Sequence, residues 1–358
     1  METVVVFSTV FYITILCFVV IQLALLLYKN VGLLTFWTLL DYAQLVAFLP
    51  LMSARFVPYV VEAYRPFLIS HLIFTWPGDE EGYYDQDSSD FFNLSYQAYD
   101  LRKDIFFEQS ALIWACLLGA IIILDIVIYI VKQTCNPDGS CPRMYTMMTN
   151  LHDQFRWNIY IRYLMMSYMD LVLIAGLVLF DNNDDVLSIK GILALLVITF
   201  AFFIPLSVLF YLCSKFDQLK DKEQKRNFNT LLLKVDKEDR WRIFLPCFFF
   251  FRRFFTVLML VIGATDEKAS AYYQFAVVII LSAILIFYLA KEEPYVTRRM
   301  NAYVLCMEFF YFMLGMLAFI FTEATDEVDA KLTAAIASLV FLCLFVLANF
   351  LMSCYFAG

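Results

Sequence analysis

The feature of this sequence that most constrains its fold is a series of long apolar blocks. Each block holds about 20 residues, the length that an α-helix needs to cross a hydrocarbon core of roughly 30 Å. Apolar residues make up 62% of the chain, whereas soluble domains hold roughly 45–50%. The sequence therefore predicts an all-α polytopic membrane helix bundle that forms a single membrane domain over residues 1–358.

Nine apolar blocks predict nine transmembrane helices. The blocks cover approximately 4–28, 32–53, 109–131, 160–180, 189–213, 244–263, 270–290, 301–322 and 332–355. The first block is too long for the apolar core of a signal peptide and lacks a basic segment before it, so we interpret it as a span. Residues 54–75 are apolar but interrupted by Pro58 and Pro66. We interpret them as an interfacial or re-entrant segment, although a tenth helix there is the main alternative.

The distribution of charge among the loops predicts the orientation of these helices. Segment 214–243 holds nine Lys and Arg residues, and basic loops remain in the cytoplasm. Alternation of the spans then places the N-terminus outside and the C-terminus in the cytoplasm. Residues 54–108 become an extracellular or luminal loop. Acidic loops such as 181–185 and 323–329 also fall outside, as the same bias predicts.

Motifs of enzymes are absent from the chain. It has no Gly-rich phosphate loop, no metalloprotease His pair and no nucleophile elbow, so we expect no enzymatic activity and no cofactor. His71 and His152 are its two histidines, which excludes a multi-histidine metal site. Bound lipids and a bound cation are the expected small-molecule partners, and no feature indicates nucleic-acid binding.

Two short motifs lie in the predicted loops. Asn93-Leu94-Ser95 is a glycosylation sequon on the predicted outer side. Cys135 and Cys141 bracket a turn on the predicted inner side. Free thiols are favoured there because cytoplasmic cysteines stay reduced, while a disulfide and a zinc site remain alternatives.

Six ionisable residues within the apolar blocks are the candidate functional residues. A charge at the centre of a membrane helix costs about 2.5–3.5 kcal/mol, so it usually faces a partner or a wet cavity. Helical rise places all six in the cytoplasmic half of the membrane. They are Asp41, Asp125, Asp170, Arg252, Arg253 and Glu308.

These six residues support two main interpretations. One is a salt-bridge network that fixes helix packing. The other is a cation path or ion-sensing site lined by the surplus carboxylates, since four acids face two arginines. A third interpretation is that Arg252 and Arg253 extend to the inner headgroups.

Four stretches resemble the membrane domain of a group of ciliate and other protist proteins. These proteins are similar to TRP-like, polycystin-like membrane proteins that include the fungal flavin carriers. The stretches are TLLDYAQLVAFLPLM (38–52), FRWNIYIRYLMMSYMDL (155–171), FNTLLLKVDKEDRWRIFLPCFFFFRRFF (228–255) and YQFAVVIILSAILIFYLAKEEPYVTRRMNAYVLCMEFF (273–310). The recurring positions are Gln44, Trp157, Asn158, Arg162, Arg252, Arg253, Gln274, Tyr288, Pro294, Asn301 and Glu308.

The resemblance implies an all-helical membrane unit and, by analogy, cation permeation or its regulation. Our first functional hypothesis is a TRP-like cation channel or channel subunit, with calcium among the candidate ions. The second is a non-conducting membrane anchor or assembly subunit for a larger extracellular or ciliary complex, and the third is a transporter of a small molecule or lipid. We expect a homo- or hetero-oligomer or a larger membrane complex, with the plasma or ciliary membrane favoured over internal membranes.

Overall fold

A computed structural model describes most of the apolar chain and a smaller part of its loops. The described residues are 13, 33–52, 54, 56–71, 103–134, 145, 149, 152, 158–180, 188–217, 232, 235–236, 239–263, 267–322 and 327–357. The regular structure in these ranges is helical, and a single isolated β-bridge joins Val235 to Tyr295. The all-α prediction is therefore confirmed for the described part of the chain.

Nine α-helices follow one another along the described chain, and three of them adjoin short 3₁₀ segments. In order, they are α1 (Leu33–Phe48), α2 (Pro58–Tyr64), α3 (Lys103–Thr134), α4 (Asn158–Phe180), α5 (Ile189–Ser214), α6 (Leu245–Gly263), α7 (Glu267–Glu292), α8 (Arg298–Ile320) and α9 (Val328–Ala357). Short 3₁₀ segments are Leu49–Leu51, Arg65–His71 and Arg242–Phe244.

Seven of the described helices, α3 to α9, are long and apolar enough to cross a membrane. They correspond to the last seven predicted blocks, and each differs from its block by a few residues at either end. A continuous helix satisfies its own backbone hydrogen bonds, which the bilayer core cannot do. The chain is therefore a multi-pass membrane protein by the length and composition of these helices.

The structure describes one residue of the first predicted span and most of the second. Block 4–28 lies outside the described residues except for Ile13. Block 32–53 gives α1, a helix of 16 residues that continues into the 3₁₀ turn at Pro50. The described helix ends at Phe48, five residues before the predicted end of block 32–53.

Residues 56–71 form the returning arm of a hairpin that begins with α1. The ring of Phe56 lies 4.9 Å from that of Phe321, just beyond the end of α8. The arm ends at His71, which contacts Asp170 in the middle of α4. Pro58 begins α2, and Pro66 lies in the following 3₁₀ segment. This arm is buried inside the bundle, and no long helix occupies the described residues 56–71. We call it the re-entrant arm after the sequence interpretation, which stays a prediction.

Helix α6 lies at the centre of the bundle and packs against α4, α5 and α7, while α1 packs against α8 and α9. In the apolar segments of α4 and α6, 56% of residues are buried, against 11% in α3 and 17% in α5. The side chains that α3 and α5 expose are apolar, for example Ile123 and Phe200. Such a surface suits contact with lipid, so α3 and α5 form the periphery of the described bundle.

The contact between α4 and α6 is close at Gly176. A Cβ atom at this position would lie 2.5 Å from Cγ2 of Val261. We expect Gly176→Ala to lower the free energy of unfolding by about 1–3 kcal/mol, the usual cost of overpacking a tight contact. Denaturant titration in lipid bicelles measures this loss.

Gly119 provides the matched control for this prediction. A Cβ atom there would meet no atom within 4 Å, so Gly119→Ala should be neutral or stabilise the helix by up to about 1 kcal/mol. The close contact is contradicted if the two alanine variants have equal stability. Adding Val261→Ala to Gly176→Ala should recover part of the loss because it removes the opposing methyl groups.

Candidate functional site

Two consecutive arginines on α6 are the centre of the candidate site. Successive helical residues point about 100° apart, since a turn holds 3.6 residues, so Arg252 and Arg253 reach different neighbours. Arg252 makes an ion pair with Glu308 of α8. The hydroxyl of Tyr42 on α1 donates a hydrogen bond of 2.7 Å to the same carboxylate oxygen. One carboxylate therefore joins three helices.

Arg253 joins α6 to α4 and α1. Its Nη1 donates to the main-chain oxygen of Met165 at 2.6 Å, and its Nη2 lies 3.2 Å from Oδ1 of Asp41. The guanidinium also stacks on the ring of Phe249, 4.0 Å from the centroid. These contacts match the charge of the buried guanidinium and part of its donors, while its Nε has no hydrogen-bond partner among the described residues.

Asp41 is the acid of this group that keeps contact with the surface. Its side chain is 19% exposed, whereas that of its partner Arg253 is 0% exposed. The charge of Arg162 also acts on Asp41, and the Arg162 guanidinium lies 4.5 Å from the ring centroid of Trp37. Asp41 thus lies at the edge of the buried charges.

Asp170 has partners that the sequence analysis missed. Its Oδ1 lies 2.5 Å from Nδ1 of His71, at the end of the re-entrant arm. Its Oδ2 accepts a hydrogen bond of 2.9 Å from the indole of Trp114 on α3. In the sequence, His71 is a lone histidine at the end of an apolar stretch. No sequence pattern linked His71 or Trp114 to Asp170.

Gln44 fixes the end of the re-entrant arm against α4. Its Nε2 donates to the main-chain oxygens of Ser70 and Met166, at 3.1 and 3.0 Å. Its own main-chain oxygen accepts from Nε2 of His71 at 2.9 Å. The His71 ring stacks on Phe48 with 4.2 Å between centroids. This position from the family resemblance therefore holds the hairpin closed.

We call these side chains together the central polar cluster. They make contacts across helices, and all but Asp41 are buried within the described bundle. They are Asp41, Tyr42, Gln44, His71, Trp114, Asp170, Arg252, Arg253 and Glu308. Each of the three acids has a basic neighbour, because His71 faces Asp170. The fold therefore provides each of these carboxylates with a nitrogen-bearing partner.

Asp125 lies apart from the central polar cluster. It occupies the peripheral helix α3, where its Oδ2 accepts a hydrogen bond of 3.1 Å from Tyr160. The structure thus brings together five of the six predicted ionisable residues. Helical rise placed Asp125 at a similar depth to Glu308 but could not show which way α3 faces.

Three other positions from the resemblance lie at the junction between α7 and α8. Asn301 accepts from the main-chain nitrogen of Tyr295 and donates to its oxygen, both at 2.8 Å. Pro294 accepts from the main-chain nitrogen of Asp236, and Tyr288 donates to the main-chain oxygen of Trp241. Burial, reinforced by the charge of Asp41, raises the pKa of the Tyr295 hydroxyl. This junction fastens part of segment 232–244 to the bundle.

The remaining predicted positions are either structural or outside the described residues. Gln274 donates to the main-chain oxygen of Met259 at 3.0 Å, which ties α7 to α6. Asn158 begins α4. Trp157, Asn93, Cys135 and Cys141 lie outside the described residues. Within the described chain, no group of three or more His, Cys, Asp or Glu side chains could hold a metal ion.

Comparison of the chain with models of protein families, with curated proteins and with solved structures finds no match. The resemblance to TRP-like membrane proteins therefore stays a prediction.

Proposed function

We propose that the chain crosses the membrane nine times, with the N-terminus outside and the C-terminus in the cytoplasm. Seven spans come from α3 to α9, and block 4–28 and α1 would add two. We count α1 as a span because the chain runs along α8. Tyr42 contacts the middle of α8, and Phe56, which follows α1, reaches the end of α8. Tags in segment 214–243 should be accessible only from the cytoplasm, and outside labelling would contradict this topology.

We propose that the protein is a cation channel or channel subunit. The observation that carries this proposal is the re-entrant hairpin that ends on the buried carboxylate of Asp170. Re-entrant and broken helical segments at membrane depth are tolerated where protein buries them or where they line a water-filled cavity. Ionisable residues within a membrane bundle commonly mark ion pathways. A hairpin and a charge cluster in contact with each other are the parts that a gated pathway needs.

The proposal gives the acids of the cluster two different roles. Asp41, which keeps contact with the surface, attracts cations at the entrance of the path. Glu308 is buried and paired with Arg252, so it controls whether the helices can move. Neutralising Asp41 should therefore change conductance, while neutralising Glu308 should change the fraction of time that the channel is open.

Recordings from the purified protein in planar bilayers test these roles, with calcium and sodium compared as charge carriers. We expect Asp41→Asn to lower single-channel cation conductance at least about twofold, because one charge within a Debye length of about 10 Å raises local cation concentration. Asp125→Asn is the matched control, since it removes an aspartate that lies apart from the cluster. The channel proposal is wrong if wild-type protein passes no cation current, or if the two asparagine variants change conductance equally.

The second candidate function is a non-conducting anchor or assembly subunit, in the plasma or ciliary membrane. It is favoured by the pairing of each acid in the central polar cluster with a basic neighbour, which is typical of a network that fixes helix packing. The same recordings separate the two functions. An anchor would give silent bilayers from folded protein, together with co-purification of stoichiometric partner subunits from native membranes. A small-molecule or lipid transporter remains the third candidate, and an organic ligand that co-purifies with the protein would favour it.

A further inference from the structure

The contact between His71 and Asp170 holds the end of the re-entrant arm against α4. The two side chains are 0% and 1% exposed, and Nδ1 and Oδ1 are 2.5 Å apart. The other hydrogen-bonding atoms of the two side chains also have partners. Nε2 of His71 faces the main-chain oxygen of Gln44, and Oδ2 of Asp170 faces the indole of Trp114.

The chemistry of these neighbours fixes where hydrogens lie. A main-chain carbonyl oxygen only accepts hydrogen bonds, so Nε2 of His71 must carry a hydrogen. An indole nitrogen only donates, so Oδ2 of Asp170 must be an acceptor. The variable hydrogen of the pair therefore lies between Nδ1 and Oδ1.

A single proton between Nδ1 and Oδ1 is the arrangement that gives one of these atoms a donor role and the other an acceptor role. With one proton, either an imidazolium donates to a carboxylate or a carboxylic acid donates to a neutral imidazole, and the pair has no net charge. With two protons, two donors face each other. With none, the lone pair of Nδ1 faces an anionic oxygen. Both of the latter states are repulsive in a site without water.

We propose that His71 and Asp170 form a proton-binding site whose occupancy controls attachment of the re-entrant arm to α4. The ligand is a single proton exchanged with water, with no change in oxidation state. Gain or loss of a proton opens the contact between Nδ1 and Oδ1. The site is defined by the fold and does not depend on cation conduction by the protein.

Charged and titratable groups on the surrounding helices determine the electric field at this site. Arg253 on α6 interacts electrostatically with Asp170 and is itself paired with Asp41 on α1. On α4, the Tyr163 hydroxyl donates to the main-chain oxygen of Trp114. On the re-entrant arm, Glu62 and Arg65 pair with each other at 2.5 Å.

Nitrogen NMR of the full chain in lipid nanodiscs tests the proposal. With ¹⁵N-labelled histidine and tryptophan, the spectrum contains two imidazoles and five indoles, and the variants His152→Gln and Trp114→Phe identify the signals of His71 and Trp114. We titrate the sample from acidic to alkaline pH and record both signals at each step. The Nδ1 signal of His71 should shift within this range, and the indole signal of Trp114 should shift with the same midpoint.

Two variants separate a proton site from a fixed structural contact. Asp170→Asn should abolish the coupled shift of the Trp114 signal, whereas His152→Gln should leave it unchanged. The proposal is overturned if the His71 signal is constant across the range, or if it titrates identically in the Asp170→Asn variant. Should that variant not fold, the wild-type titration decides. Coincident midpoints for His71 and Trp114 support the site, and different midpoints overturn it.

Discussion

Replacing Glu308 with leucine is expected to lower the free energy of unfolding by about 3–5 kcal/mol. The substitution leaves the buried guanidinium of Arg252 without its counter-charge. It also removes the acceptor of the Tyr42 hydroxyl. Arg252 is 6% exposed, so water cannot replace the lost carboxylate without opening the contact between α6 and α8.

Denaturant titration in bicelles measures this effect. Glu327→Leu is the matched control because Glu327 is exposed just before α9, and surface substitutions usually change stability by less than about 0.5 kcal/mol. Equal stability of the two leucine variants would show that Glu308 is not paired in the bundle.

Replacing Arg253 with methionine should cost about 3 kcal/mol, the lower end of the range for breaking a buried pair. The change removes the hydrogen bond to Met165 and the ion pair with Asp41. The cost is at the lower end because Asp41 is partly exposed and can be hydrated once Arg253 is gone. The apolar methionine also retains much of the packing against Phe249.

Two further substitutions sharpen this second prediction. Arg299→Met is the control, since Arg299 is exposed near the start of α8 and stacks on Tyr355. Arg253→Lys should retain only part of the stability, because lysine keeps the charge but lacks the planar fork that reaches both acceptors. Wild-type stability in Arg253→Met would contradict the bridging role of Arg253.

The long helices could be predicted from sequence because a membrane imposes a simple requirement. A segment in hydrocarbon must satisfy its own backbone, so continuous apolar blocks become helices whose ends lie near the block ends. This rule holds for α3 to α9, but α1 ends before the end of its block. Its block continues through Pro50, where the chain leaves the α-helix for a 3₁₀ turn.

The partners within the site could not be predicted because they depend on which helix faces meet. The helical rise predicted comparable membrane depths for Asp170, Glu308 and Asp125. Only Asp170 and Glu308 face the centre of the bundle. His71 was missed for a related reason. The two prolines of residues 54–75 indicated an interrupted segment, but the depth at which its end meets Asp170 is set by the packing of α1 against α4 through Gln44.

Pairing between Arg252 and Glu308 joins α6 to α8 and, through Tyr42, to the hairpin. A double-mutant cycle with Arg252→Met, Glu308→Leu and the double variant tests this pairing most directly. We predict a coupling energy of about 2–3 kcal/mol, at the upper end for residues in contact, with the double variant more stable than either single variant. A coupling energy below about 0.5 kcal/mol, the level of independent sites, would contradict a paired charge at the centre of the bundle.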